Sequence, residues 1–533
     1  MSKIIMDPKF LGAIIGMSLL CGCSVSYYNQ SADKDVSSIL LEKEQLSEKS
    51  FKKPSDLADQ TKQETMVLSL KEALILAAKN NHDYQSAKED VYLSALTLTY
   101  QRYLYGVQRD ITGSVDWHSE DGKETINQNL NLSLVKWLAT GAEITFDVGQ
   151  YLMKYLTGSK ENAYQNAMEL NIFQPLFQGA GRLVAKENLV QAERNVVYQI
   201  RSFLRYQRGF SVDVASKYFS IILARSNLDN YWKNYLFLKD TRERIEMLAA
   251  AGRLPPLQAD QAKQNEYRAY QQWIEAGNNY KELEDRFKIF LGLSPEVVIV
   301  LDDQFLDYFL NNGITPVNTD TEKAISYALQ HRLDLLTSFD NVDDAERNLE
   351  IAKNFLRSKI NLTGNVSSST EEKSKIDLEF KQPSYSAGID FEAPVGKISD
   401  RNRYKQALIN FERKQRDCTL KRENVKLEIL NSLRSLEEAY QSYIIQKTSL
   451  DLATRRVEST DLMLQAGRAT TRDLLEAQES YLQAKNSLSS AIVNYLESYL
   501  TFLRDTEQLQ IDNSGVWKGD LYEKIVGEDA TDS

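Results

Sequence analysis

The sequence predicts a mainly α-helical chain that also carries membrane β-strands, written as a tandem repeat of alternating strands and long coiled-coil helices. Three observations predict it. The two halves align with one another, alanine and apolar positions recur every seven residues, and short segments ahead of each long helix alternate apolar with polar residues.

The duplication is read by sliding the chain against itself. EALILAAKNNHDY aligns with KAISYALQHRLDL and pairs Ala73 with Ala324, Ala77 with Ala328 and Asp83 with Asp334, at an offset of 251. FQPLFQGAGR aligns with FEAPVGKISDR and pairs Pro175 with Pro394 and Arg182 with Arg401, at 219. AGRLPPLQADQA aligns with AGRATTRDLLEA and pairs Gly252 with Gly467, at 215. Because the offset falls from 251 to 219, the first copy carries 32 additional residues between Tyr84 and Gln174. The copies span 66–294 and 321–506, joined by a linker at 295–320.

The helices follow from heptads. Ala262, Ala269 and Ala276 repeat as Ala477, Ala484 and Ala491, and beside the second ladder run Leu474, Tyr481, Leu488, Tyr495 and Phe502. Small and large residues in adjacent seams require closely packed neighbours. Between Arg182 and Ala251, Leu189, Val196, Phe203 and Phe210 lie seven apart, as do Val214, Ile221, Leu228 and Tyr235. The four-residue step from 210 to 214 is a stutter, which unwinds a left-handed supercoil and straightens the helix. About 70 residues at 1.5 Å each reach about 100 Å. The shorter stretches 84–110 and 258–290 can stack along that helix, and the second copy repeats the plan with 401–466 against 335–359 and 473–505.

Leu130, Leu132 and Leu134, then Ile144, Phe146 and Val148, then Met168, Leu170 and Ile172 alternate with polar residues. Ile360, Leu362 and Val366, then Ile376, Leu378 and Phe380, then Ile389 and Phe391 do so in the second copy. Soluble sheets alternate in the same way. No apolar stretch is long enough for a spanning helix, which leaves barrel strands as the membrane element.

At the N-terminus, Lys3 and Lys9 flank a short apolar run, Phe10 to Leu20, which reads as a signal peptide over 1–22. It ends in Leu20-Cys21-Gly22-Cys23, which is similar to a bacterial lipobox and makes Cys23 the expected acylated residue; Cys21 stands where Ala or Ser is usual. Residues 23–65 read as a polar tether carrying that lipid, and 507–533 as an acidic, partly disordered tail.

Net charge of −11 gives no broad attraction for nucleic acid. His82, His118 and His331 are isolated, and no HExxH, CxxC, GxSxG or glycine-rich phosphate loop occurs, so neither an enzyme nor a cofactor or metal site is expected. Cys418, in a charged helical stretch, reads as a small packing residue.

From about 66 to 506 the chain resembles the TolC family of outer-membrane efflux proteins, most specifically in FQPLFQGAGR and the two AGR turns. The resemblance implies a homotrimer: an outer-membrane β-barrel, four strands from each chain, continued by a periplasmic α-helical barrel. It implies docking on a periplasmic adaptor protein and an inner-membrane pump, and localisation in the bacterial outer membrane, here with a lipid anchor. The segment 142–150 falls outside the four-strand pattern and reads as part of an added hairpin.

The expected function is that of an exit duct for small molecules. A duct for type I protein secretion and a non-conducting coiled-coil envelope lipoprotein are the alternatives. By resemblance, the adaptor meets the turns Gly252, Arg253, Leu254, Pro255, Pro256 and Gly467, Arg468, Ala469. The same resemblance makes Asp473 and Glu476, with Arg472, the periplasmic gate; Asp473 is equally placed to cap its helix with Thr470.

Overall fold

The computed structural model describes residues 25–44 and 66–518, apart from 122, 158–162, 303, 318, 373–382, 394–395 and 513. Within that range the elements run α1 (Val25–Glu44), β1 (Met66–Leu68), α2 (Leu70–Asn80), α3 (His82–Leu104), β2 (Val107–Glu120), β3 (Lys123–Trp137), β4 (Glu143–Tyr155) and β5 (Ala163–Pro175). They continue with α4 (Arg182–Ala250), α5 (Pro256–Phe290), β6 (Ile299–Leu301), α6 (Gln304–Asn312), α7 (Thr321–His331) and α8 (Leu333–Asn354). The second copy closes with β7 (Lys359–Glu372), β8 (Ser384–Glu392), α9 (Ile398–Gln465) and α10 (Thr471–Asp505).

Two compact units share these elements. The first combines 90–200 and 340–415 with the N-terminal helix, and its centre is one six-stranded antiparallel sheet in the order β2-β3-β4-β5-β7-β8. Four strands per chain were expected; six are found among the described residues, while the expected segment Ile376, Leu378 and Phe380 lies outside them. Length accounts for the difference: the first copy supplies four strands where the second supplies two, and its 32 additional residues suffice for one more hairpin. The expected helix 84–110 stops at Leu104, and Val107–Glu120 pairs along its full length with β3. Arg194 binds Asp340 at 3.0 Å and Asp344 at 2.7 Å, and Arg347 binds Glu187 at 3.1 Å, pinning the start of α4 to α8. Part of the segment expected to be a plain tether is the helix α1, which buries Val36, Ile39 and Leu40.

The second unit holds 201–339 and 416–518 with the short helix α2, and there the two copies repeat one another residue by residue. Ala73 and Ala324 are both buried, as are Ala77 and Ala328. Helix α2 breaks at Asn81 and α7 at Arg332, partners at the 251 offset, and both adopt the same extended backbone. Asn81 makes its break a cap: its side chain accepts from the Tyr84 N–H at 2.9 Å and donates to the Phe290 carbonyl at 2.8 Å. Arg332 instead carries a buried charge. Its guanidinium binds Asp334 at 2.9 Å and also reaches Glu428, while Asp334 binds Lys421 at 2.7 Å and Arg205 at 3.4 Å.

The expected linker is built as well: β6 pairs in parallel with β1, and α6 buries Phe305, Leu306 and Phe309. The described part of the expected tail packs against α4. Leu509, Ile511 and Trp517 are buried, the Trp517 indole donates to Ser211 at 3.1 Å, and Arg208 holds Glu507 and the Leu509 carbonyl.

Burial pushes the Asp334 carboxyl up, but hydrogen bonds from Arg332 and Lys421 and the charge of Arg205 more than offset it and hold the group at about 2. Its stabilisation is therefore complete above pH ~4 and is lost as pH falls towards 2, at about 2 kcal/mol. Asp334→Asn should remove that acid dependence and lower stability at neutral pH by about 3 kcal/mol, since it leaves the buried Arg332 short of charge. Thermal melts of detergent-solubilised protein between pH 7 and 2 measure both.

Candidate functional site

In the sheet, strand register separates two chemistries. Ile111, Leu132, Val148 and Met168 are successive cross-strand neighbours, so one face carries a continuous apolar row. One residue away, Asp110, Ser133, Asp147, Glu169, Ser367 and Ser384 form the corresponding row on the opposite face. Near the middle of that face Asn365 donates to Glu169 at 2.6 Å and to Asn171 at 2.7 Å. No described helix is long and apolar enough to cross a membrane. The apolar face suits hydrocarbon and the polar face suits water, the division a barrel wall requires.

In the second unit, α4 and α9 end in the same way. Gly252 and Gly467 have φ of 73° and 70°, the left-handed region that a Cβ disfavours. Around each glycine two backbone bonds close the helix: Gly252 N–H to Ala249 and Arg253 N–H to Leu248, and likewise Gly467 to Leu464 and Arg468 to Met463. The chain then reverses into α5 and α10. Thr471, fully buried, donates from its hydroxyl to Gln258 at 2.8 Å, which sets the two turns side by side. Neither Thr471 nor Gln258 was singled out in the sequence; the pairing of two turns with different sequences left no shared motif to find.

The two turns differ in how the next helix starts. Helix α5 begins at Pro256 with Pro255 as its cap residue and no side-chain cap, so fixed proline dihedrals do the work. Helix α10 begins with a capping box. The Asp473 carboxylate accepts from the Thr470 N–H at 2.9 Å and from its hydroxyl at 2.7 Å, and the Thr470 oxygen accepts from the Asp473 N–H at 3.3 Å. These bonds hold the Asp473 carboxyl below the usual carboxylate range.

Arg472, Asp473 and Glu476 lie on the exposed side of this first turn, opposite the buried Leu474 and Ala477, and Glu476 lies 3.5 Å from Arg456 of α9. Arg253, Pro255, Pro256 and Arg468 are exposed as well, with Leu254 and Ala469 partly covered. Cys23 lies outside the described residues.

Sheet, paired glycine turns and duplicated helices have counterparts among known proteins. Residues 324–503 match the family model for "Outer membrane efflux protein". The fold is similar to that of the outer-membrane channel CmeC of Campylobacter jejuni, with a TM-score of 0.60 at 14% identity, covering 89% of this chain and 94% of that one. It is also similar to VceC of Vibrio cholerae (TM-score 0.61, 13% identity, 82% of this chain and 95% of that one). The open state of MtrE of Neisseria gonorrhoeae gives 0.57 at 13%, over 86% and 97%. No curated protein matches the chain in sequence. The family match thus covers the second repeat, and the likeness to the solved channels is one of fold.

Thr470→Ala removes one side of the capping box and should destabilise the start of α10 by about 1 kcal/mol. Hydrogen exchange of the amides at 471–474 should quicken several-fold, with the turn at 252–256 unaffected.

Proposed function

We propose that this chain is the outer-membrane exit duct of a tripartite efflux system, carrying small molecules and working as a homotrimer. The observation that carries the reading is the sheet. It has one apolar face and one polar face, and among the described residues β2 and β8 each pair on one side only, so that only further copies complete it. Lipid attached through Cys23 adds an anchor beside the barrel, and the polar stretch 23–65 connects the two. The adaptor protein, itself bound to an inner-membrane pump, meets the turns at 252–257 and 467–472. Both expose arginines there, and both are rigid, one through prolines and the other through its capping box.

The gate assignment rests on Asp473 and Glu476 sharing the exposed face of one helical turn. Threefold assembly turns each carboxylate into a ring of three, and a narrow ring of like charge attracts cations and repels anions. Capping does not compete with this role: the hydrogen bonds to Thr470 keep Asp473 ionised, and fixed negative charge is what the ring needs.

The test is conductance in planar bilayers. Purified protein should form cation-selective pores, and Asp473→Asn with Glu476→Gln should lower selectivity and weaken block by multivalent cations while leaving assembly intact. Unchanged selectivity and block would reduce these carboxylates to caps, and folded protein without conductance would favour the structural envelope lipoprotein. Independently, Cys23→Ser should abolish metabolic labelling by fatty acid, with assembly weakened but retained, since each lost acyl methylene contributes only about 0.8 kcal/mol.

A further inference from the structure

The offsets between the two copies locate the surplus of the first. Shifted by 251, β2 falls on β7 within one residue at each end, and shifted by 219, β5 spans 382–394 and covers β8. Both copies therefore hold the same outer pair of strands. What the first copy has in addition is β3 and β4 with the turn between them, Lys123–Tyr155, which is 33 residues against a counted surplus of 32. An inserted hairpin can be a flap over a channel mouth or a piece of its wall.

Strand register decides for the wall. Strand β3 pairs with β2 from Lys123 to Lys136 and with β4 from Thr125 to Trp137, and β4 pairs with β5 from Glu143 to Met153, so the hairpin is bonded to both neighbours over nearly its full length. Its faces continue theirs. Leu132 and Val148 stand between Ile111 and Met168 on the apolar side, whereas Ser133 and Asp147 stand between Asp110 and Glu169 on the polar side. Leu130 and Leu132 are exposed, so the described part of the chain leaves them uncovered. A flap in water needs neither an apolar face nor unbroken pairing on two sides; a strand in hydrocarbon needs both.

We infer that all six strands of each chain belong to the outer-membrane wall, eighteen in the trimer, and that the lumen they enclose admits solutes up to a compact polypeptide of about 50 residues. The inference rests on the homotrimeric channel proposed above and adds what its outer-membrane part can pass. Two strands per copy would have given four per chain and twelve in all.

Width follows from strand number. Neighbouring strands lie about 4.8 Å apart and tilt by about 40°, so a ring of eighteen has a backbone diameter of about 36 Å and a ring of twelve about 24 Å. Side chains occupy about 5 Å inside each wall, which leaves lumens of about 26 Å and about 14 Å. The wider passes a compact chain of about 50 residues, the narrower one of about ten. Charge sorts little at that width. Asp110, Asp147 and Glu169 would stand roughly 13 Å from the axis, beyond the screening length of about 8 Å in physiological salt. Neither size nor charge of cargo is then set at the outer membrane, and selection falls to the periplasmic end.

Neutral polymers in planar bilayers test this. Polyethylene glycols added only on the side to which the barrel opens lower conductance when they enter its lumen, even where they cannot pass the far end. Polymers about 20 Å across should enter the native barrel. Deleting the 32 residues Lys123–Lys154, which leaves β2 to turn directly into β5, should exclude them and admit only polymers below about 14 Å. A second measurement does not depend on the deletion variant folding. In a Cys418→Ser background in liposomes, a fluorophore attached at Leu132→Cys should be quenched by brominated lipid, and one at Asn131→Cys should not. Conducting protein whose native barrel excludes the 20 Å polymers, or whose Leu132 position escapes quenching, would overturn the inference and leave the channel reading in place. Folded protein without conductance would overturn both.

Discussion

Strands β2 and β8 offer hydrogen-bonding groups on their outer sides to whatever lies next to them, and their sheet presents an apolar face over much of its area. In hydrocarbon an unpaired amide or carbonyl costs several kcal/mol, and in water a face of this kind invites aggregation. On the proposed channel reading, neither environment suits a single open sheet. The need to cover those edges constrains the whole molecule: both copies must deliver strands into a single sheet, which requires that β7 and β8 of the second copy follow β5 of the first in unbroken register.

The helical part answers the same need by other means. Where backbone groups are satisfied inside each helix, what remains for a neighbour is side-chain surface, and the duplication distributes it unevenly. Helix α4, the more apolar of the long pair, is wrapped by its own chain along two stripes, whereas α9 keeps one stripe and leaves the other open. Buried polar pairs such as Asn230 with Asn486 and Gln478 with Asn234 occupy the internal seam, and their strict geometry favours one register over slippage by a heptad. The ionic cluster at Arg332, Asp334, Glu428 and Arg205 does comparable work, tying the break between α7 and α8 to both long helices.

The helices were legible because heptads are redundant: α4, α5, α9 and α10 begin and end within three residues of the positions that spacing predicted. Each turn glycine was legible because only a residue without Cβ is comfortable at φ near +70°. Strand β2 was not, because Arg109 and Gly113 interrupt its apolar set of Val107, Ile111, Val115 and Trp117, so period two dissolved into a polar stretch after a helix. Helix α1 hid in the same way, its single stripe of Val36, Ile39 and Leu40 diluted by Ser, Asp and Lys. The packed segment after α10 was missed because three well-separated apolar residues have no period. Of the candidate site, the capping role of Asp473 was readable from Thr470 three residues ahead, but the clasp between Thr471 and Gln258 was not, since nothing local marks a hydrogen bond between residues 213 apart.

The six strands among the described residues are an even number, and evenness has a consequence for how such a wall can change. In an alternating antiparallel sheet the first and last strands of an even set run in opposite directions, so in the proposed assembly the last strand of one copy would meet the first strand of the next in antiparallel fashion, whatever the number of copies. A single inserted strand would reverse that junction and set like-directed strands together. A hairpin would not, because it adds one strand in each direction. The circumference of such a proposed barrel would be enlarged only in paired steps, multiplied by the number of subunits, and the two-strand surplus of the first copy over the second is the smallest step that would leave every junction unaltered.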